Sequence, residues 1–154
     1  MKPGSFTQLY IHMVFSPKYR ESLLHGRFTP ELYSYMGGLL NQKKHKPLIM
    51  NGRPDHIHIL IGMNPKFSIS DTVADLKRSS SLFINEKKWL RGKFQWQDGY
   101  GAFSYSRSHL DTIYKYILNQ EEHHKKMTFR EEYIALLKKF EIDFDEKYLF
   151  EFFE

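Results

Sequence analysis

The sequence predicts an α+β protein: a sheet built in the order β-α-β-β-α-β with helices on one face, followed by additional C-terminal helices. Three observations carry this. Short runs of β-branched and aromatic residues alternate with longer runs whose apolar residues recur at helical spacing. Turn and capping signals fall between them. The 154 residues are enough for one domain with its own core, and residues 1–154 are expected to form it, with an acidic tail from about position 140.

Leu9 to Ser16 alternates and ends at Pro17, which reads as the first strand. Thr29-Pro30-Glu31 opens a helix, with Thr29 as N-cap and Pro30 in the first turn, and Leu32, Met36, Leu39 and Leu40 form its apolar face. Gly37-Gly38 weakens this helix or permits a close approach. Pro47 to Met50 is a short strand, Asn51-Gly52 a turn signal and Asp55 to Gly62 a further strand, so the pair reads as a hairpin with a longer loop. Ser68-Ile69-Ser70-Asp71 caps a helix reaching about Trp89, whose face is Ile69, Val73, Leu76, Ser80 and Phe83. Ala102 to Ser106 is the last strand. Ser108 caps a helix over His109 to Lys126, and Thr128 to Phe140 is a further amphipathic helix. This order is the ferredoxin-like split βαβ pattern.

The absence of cysteine excludes disulfides, thiolate metal sites and a cysteine nucleophile. No apolar run reaches the roughly 18 residues of a membrane span, and the first residues lack a signal-peptide core, so a soluble cytoplasmic protein with no membrane partner is expected. Charge is unevenly spread. Phe140 to Glu154 holds six acids and one lysine, which leaves 22 bases against 12 acids, a net +10, in residues 1–139. A basic body with 16% aromatics suits a polyanionic partner, nucleic acid first.

His56 and His58 share one face of their strand with Leu60, and Ile57, Ile59 and Ile61 share the other. With the isoleucines under the helices, the histidines are expected on an open face, about 6.5 Å apart along the strand. Two imidazoles so spaced can tilt toward one metal ion. The spacing is equally that of two histidines on a half-exposed sheet with no ligand. His12 falls on the same phase of the first strand and is an extra ligand, a DNA contact or a surface residue. On the helix after Ser108, Leu110, Ile113, Tyr114, Ile117 and Glu121 form the expected core stripe. Tyr116 lies off that stripe, with Gln120 one turn further along its side.

Together, Pro54-Asp55-His56-Ile57-His58, Tyr116-Ile117-Leu118-Asn119-Gln120, Lys18-Tyr19-Arg20 and Trp96-Gln97-Asp98-Gly99-Tyr100-Gly101 resemble the single-tyrosine HUH transposases of the insertion-sequence 200/605 group. The likeness runs from Leu9 to about Phe140. It implies metal-dependent cleavage and rejoining of single-stranded DNA through a 5′-phosphotyrosine. It further implies Tyr116 as nucleophile, His56, His58 and Gln120 as ligands of Mg²⁺ or Mn²⁺, DNA with hairpin ends as partner, and a homodimer in which the tyrosine helix of one subunit completes the other's site, an arrangement the sequence does not distinguish from assembly within one subunit. Lys18, Arg20, Lys43, Lys44, Lys46, Arg53, Lys77 and Arg78 are the candidate DNA contacts, with Tyr10 and Trp96 for base stacking. Parts of the pattern are shared by a non-catalytic ferredoxin-like RNA- or DNA-binding module, and by other HUH endonucleases such as replication initiators or domesticated repeat-processing relatives. The module would show Phe or Tyr where His56 and His58 stand.

Overall fold

The computed structural model describes residues 4–18 and 26–152. Four strands form one antiparallel sheet: β1 (Tyr10–Phe15), β2 (Lys46–Arg53), β3 (His56–Gly62) and β4 (Gly101–Tyr105), in the spatial order β2-β3-β1-β4. That is the ferredoxin-like order anticipated from the sequence. Register places Val14 opposite His58 and His12 opposite Leu60, so the first strand and the histidine strand lie side by side in the sheet centre.

Helices α1 (Thr29–Gln42) and α2 (Ile69–Lys87) share one core with the isoleucine face. Leu32, Met36, Leu40, Val73, Leu76 and Ile84 pack there with Met13, Phe15, Ile57, Ile59 and Ile61. Ser68 caps α2 as expected, its hydroxyl accepting from the Asp71 amide. Thr29 is the first residue of α1 rather than its cap; its hydroxyl accepts from the Gly26 amide instead. A Cβ on Gly37 would meet Met50 only at ordinary contact distance, 3.7 Å, and one on Gly38 would meet nothing within 4 Å, so the Gly37-Gly38 pair serves no close approach.

The hairpin is tighter than its sequence suggested. The turn is Pro54-Asp55, with Arg53 opposite His56, and Asn51-Gly52 lies inside β2. A Cβ at Gly52 would collide with the His56 carbonyl, so this glycine serves backbone approach within the ladder. Asn51 is spent elsewhere: its side-chain amide donates to the carbonyls of Ile117 (2.9 Å) and Leu118 (3.1 Å). Those carbonyls end α3 (Leu110–Leu118). The helix expected over 109–126 is therefore broken. A 3₁₀ turn (Arg107–His109) leads into α3, and α4 (Gln120–His123) restarts after Asn119. Satisfying orphan carbonyls from a neighbouring strand ends the helix where sequence spacing would continue it.

Helix α5 (Phe129–Lys139) begins with a full capping box between Thr128 and Glu131. The acidic end packs back on the body. Phe150 is buried against Phe129 and Tyr133, and the Glu151 backbone exchanges two hydrogen bonds with the Gln97 side chain. Gly101 is where Tyr133 of α5 comes closest to β4; a Cβ there would sit 2.8 Å from the Tyr133 ring. The face of β3 expected to be open is consequently closed. Ile113 and Ile117 of α3 pack on Leu60, and α5 covers the histidines. Among the described residues, no helix is long and apolar enough to cross a membrane.

Candidate active site

Alternation along β3 puts His56 and His58 on the Leu60 side, as expected, but both are completely buried. His56 is fixed from two directions. Its Nδ1 lies 2.7 Å from Asp55 Oδ1, and its ring stacks on Phe129 at 4.1 Å. This aims Nε2 at Gln120 Oε1, 2.9 Å away, and Glu132 Oε1, 3.5 Å away. His58 Nε2 faces the same Glu132 oxygen at 3.2 Å, and its Nδ1 meets His12 Nε2 at 2.7 Å. His12 is thus no surface residue; it is buried behind His58 and stacked on it.

Tyr116 and Gln120 enter from α3 and α4. The buried line of these helices is Ile113, Ile117 and Gln120. Tyr116 flanks it, half-buried, with its hydroxyl donating to Glu132 Oε2 and its ring edge-on to His58 at 5.9 Å. Tyr114, expected in the core stripe, is instead 39% exposed, and Glu121 is also at the surface. The reason is the phase of α3: the inward line runs through Ile113 and Ile117 to Gln120, which leaves Tyr114 on the outer flank. A cavity of about 250 Å³ lies beside the Tyr116 ring, lined by Tyr105, Ile113, Tyr116, Glu132 and Leu136 among others.

Sequence reasoning missed the residue at the centre. Glu132 is 1% exposed and is held by four side chains: His58, His124 (3.0 Å to Oε1), Gln120 (Nε2 donating to Oε2, 3.0 Å) and Tyr116. A signal was available. Phe129, Glu132, Tyr133, Leu136 and Leu137 make the buried stripe of α5, and one acid in an apolar stripe needs a partner. Burial would raise the Glu132 carboxyl, but the charge of His58 and the bonds from His124 and His58 outweigh it and hold it far below the usual range. Burial, then the Glu132 charge, pushes the Tyr116 phenol well up. Burial pushes His58 down, opposed by Glu132, and pushes His12 well down, helped by His58.

The donor set fits a divalent metal. His56, His58 and Glu132 each offer a ligand atom within 4.8 Å of the others. His56 Nδ1 faces the Asp55 carboxylate while its Nε2 faces two more oxygen acceptors, Gln120 Oε1 and Glu132 Oε1, and a neutral ring carries one proton for both sides. Only a second proton or a cation lets those atoms meet. A carboxylate behind a ligating imidazole is also the usual way such a ring is oriented.

The basic residues fall on separate surfaces. Lys18, Lys77 and Arg78 line a groove of about 610 Å³ between α2 and the 93–100 loop; Lys44 and Lys46 line another with Tyr10. Lys43 and Arg78 border a third, smaller hollow with His45. Arg53 is half-buried at the end of β2, and Arg20 lies outside the described residues, as does Tyr19. Lys77 is committed: its ammonium donates to the carbonyls of Gln97 and Gly99, and burial lowers its pKa to about 8. Trp96 is not available for base stacking, because it is 8% exposed, edge-on to Phe15, with its indole N–H on Ser80.

The site thus joins an imidazole pair on a central strand to a tyrosine from α3 and an amide from α4. The family model "Transposase IS200 like" matches residues 5–120, and the chain belongs to this family. It is 29% identical over 126 residues to the ISDra2 transposase TnpA of Deinococcus radiodurans, covering 77% of this chain and 89% of that one. It is 32% identical over 119 residues to the transposase for insertion sequence element IS200 of Salmonella typhimurium, covering 74% and 78%. A crystal structure described as that of a transposase from D. radiodurans superposes with a TM-score of 0.58 at 26% identity, over 78% of this chain and 96% of that one. A REP-associated tyrosine transposase bound to a REP hairpin shares the fold, with a TM-score of 0.59 at 12% identity over 80% and 74%.

Proposed function

We propose that this IS200-like transposase cleaves and rejoins single-stranded DNA through Tyr116. The observation that carries the reading is the meeting, within one chain, of the Tyr116 hydroxyl, the Nε2 atoms of His56 and His58, and Gln120 Oε1. Tyr116 Oη attacks phosphorus in line with the departing 3′-oxygen. The bond to that oxygen breaks, and the 5′-phosphate stays on tyrosine. The phenol releases its proton to solvent and the leaving 3′-oxygen takes one proton from solvent, so charge and proton count are conserved, while Glu132 Oε2 accepts the hydrogen bond that orients the phenol. One phosphodiester replaces another, so a new 3′-hydroxyl reverses the step without ATP.

His56, His58 and Gln120 would hold Mg²⁺ or Mn²⁺, which supplies Lewis-acid polarisation of a non-bridging phosphate oxygen. Asp55 and Phe129 hold the His56 ring so that Nε2 faces the site. Gln120 is turned by its own amide: the nitrogen donates to Glu132, which leaves the oxygen toward His56. Glu132 holds the phenol beside the imidazoles. The covering of this face by α3 and α5 limits water around the phenol.

The groove holding Lys18, Lys77 and Arg78 would take the DNA backbone, as would Lys43, Lys44, Lys46 and Arg53 and, from the sequence, Arg20. The hairpin carried by the REP-associated relative supports hairpin-ended single strands as the substrate class. If the chain pairs as a homodimer, each protomer brings its own Tyr116 to its own histidines. The test is a labelled single-stranded oligonucleotide carrying the hairpin, incubated with Mn²⁺ and resolved on a denaturing gel. A covalent protein–DNA band is expected with the unaltered chain and none with Tyr116→Phe; an undiminished band with Tyr116→Phe overturns the reading.

A further inference from the structure

We infer that Glu132 is a fourth protein ligand of the divalent ion, supplied by a helix that lies beyond the part of the chain matched by the family model. The inference rests on the metal reading proposed above and extends it. The family match ends at Gln120, and Glu132 stands twelve residues further, on α5. Its two oxygens are divided between two tasks. Oε2 holds Tyr116 and the Gln120 nitrogen, and Oε1, which also meets His124 Nε2 at 3.0 Å, points at the Nε2 atoms of His56 and His58 at 3.5 and 3.2 Å. Gln120 Oε1 completes the same cluster, 2.9 Å from His56 Nε2.

Charge decides in favour of a ligand over a packing residue. A buried carboxylate is costly unless it is paired and hydrogen-bonded. Here its partners within 3.5 Å are the imidazoles of His56, His58, His123 and His124, the Gln120 amide and the Tyr116 phenol, with no lysine or arginine among them. A divalent cation at the point where the four atoms converge supplies the missing positive charge. Two nitrogens and two oxygens, one of them anionic, form a mixed set suited to Mn²⁺ or Mg²⁺, and four protein ligands still leave positions for phosphate oxygens. One carboxylate would then touch the ion with one oxygen and Tyr116 with the other, fixing the nucleophile relative to the ion.

The experiment is Mn²⁺ binding to the intact chain without DNA, by calorimetry and by electron paramagnetic resonance of free Mn²⁺, for the unaltered chain, Glu132→Gln and His56→Gln. Glu132→Gln keeps the shape and the hydrogen bond to Gln120 while removing the charge. It is expected to weaken Mn²⁺ binding at least tenfold. Any smaller weakening overturns the inference. Tightening also overturns it, since that would make Glu132 an internal occupant that the ion must displace. Failure of the unaltered chain to take up Mn²⁺, or uptake untouched by His56→Gln, would sink the metal reading itself together with this extension. Should Glu132→Gln lose its cooperative melt, Mn²⁺ soaked into crystals of the unaltered chain decides. Density within ligand distance of Glu132 Oε1 supports the proposal, and an ion held with Glu132 turned away contradicts it.

Discussion

Phe150→Ala tests whether the acidic end is part of the site's scaffold. Phe150 is 6% exposed, with its ring 4.9 Å from Tyr133 and 5.9 Å from Phe129. Phe129 in turn stacks on His56, so the tail supports the wall behind a proposed ligand. Truncating a buried Phe to Ala costs about 3–5 kcal/mol, and the lower half applies here because the tail can partly collapse. For a chain of this length, 1 kcal/mol shifts Tm by roughly 2–4 °C, so a fall of about 10 °C is expected. The assay is thermal unfolding followed by circular dichroism, with Tyr148→Ala as comparison. Tyr148 lies two residues away but is 79% exposed, and its truncation is expected to stay within about 0.5 kcal/mol. Equal melts for Phe150→Ala and the unaltered chain would refute the packing of the tail and the support it gives to α5.

The metal-free protein is expected to lose stability as pH falls. His12 and His58 bind protons less readily folded than unfolded, so the unfolded chain carries more protons just below pH ~6.5. Stability therefore declines from about pH 7 downward, and the depressed Glu132 carboxyl extends the loss below about pH 4.5. Urea unfolding with chelator at pH 7.5 and 5.5 measures it; equal or greater stability at 5.5 contradicts the burial of these imidazoles. Because Tyr116 meets the histidines within one chain, mixing Tyr116→Phe with His56→Gln protein should restore no cleavage. Restored cleavage would mean that the tyrosine helix serves a neighbouring subunit.

The strands were legible because each carries its own alternation. The same alternation separated His56 and His58 from Ile57, Ile59 and Ile61. Ser68 and Thr128 announced their helices through local capping chemistry. What escaped the sequence depends on distant partners. Asn51 read as a turn residue, yet its amide ends α3 some 66 residues later and so sets where Tyr116 and Gln120 lie. Tyr114 and Tyr116 exchanged expected environments because the inward line of α3 is fixed by the Leu60 contact, not by apolar count. The closed histidine face and Glu132 needed the placement of α5, which no local period encodes.

The account turns on which phenol receives the phosphate. Mass spectrometry of the protein–oligonucleotide adduct, after protease and nuclease digestion, identifies it directly. A 5′-linked nucleotide on the peptide at Tyr116 is the predicted result; the same mass on Tyr105, Tyr114 or any other residue, or no adduct from metal-loaded protein, would contradict it.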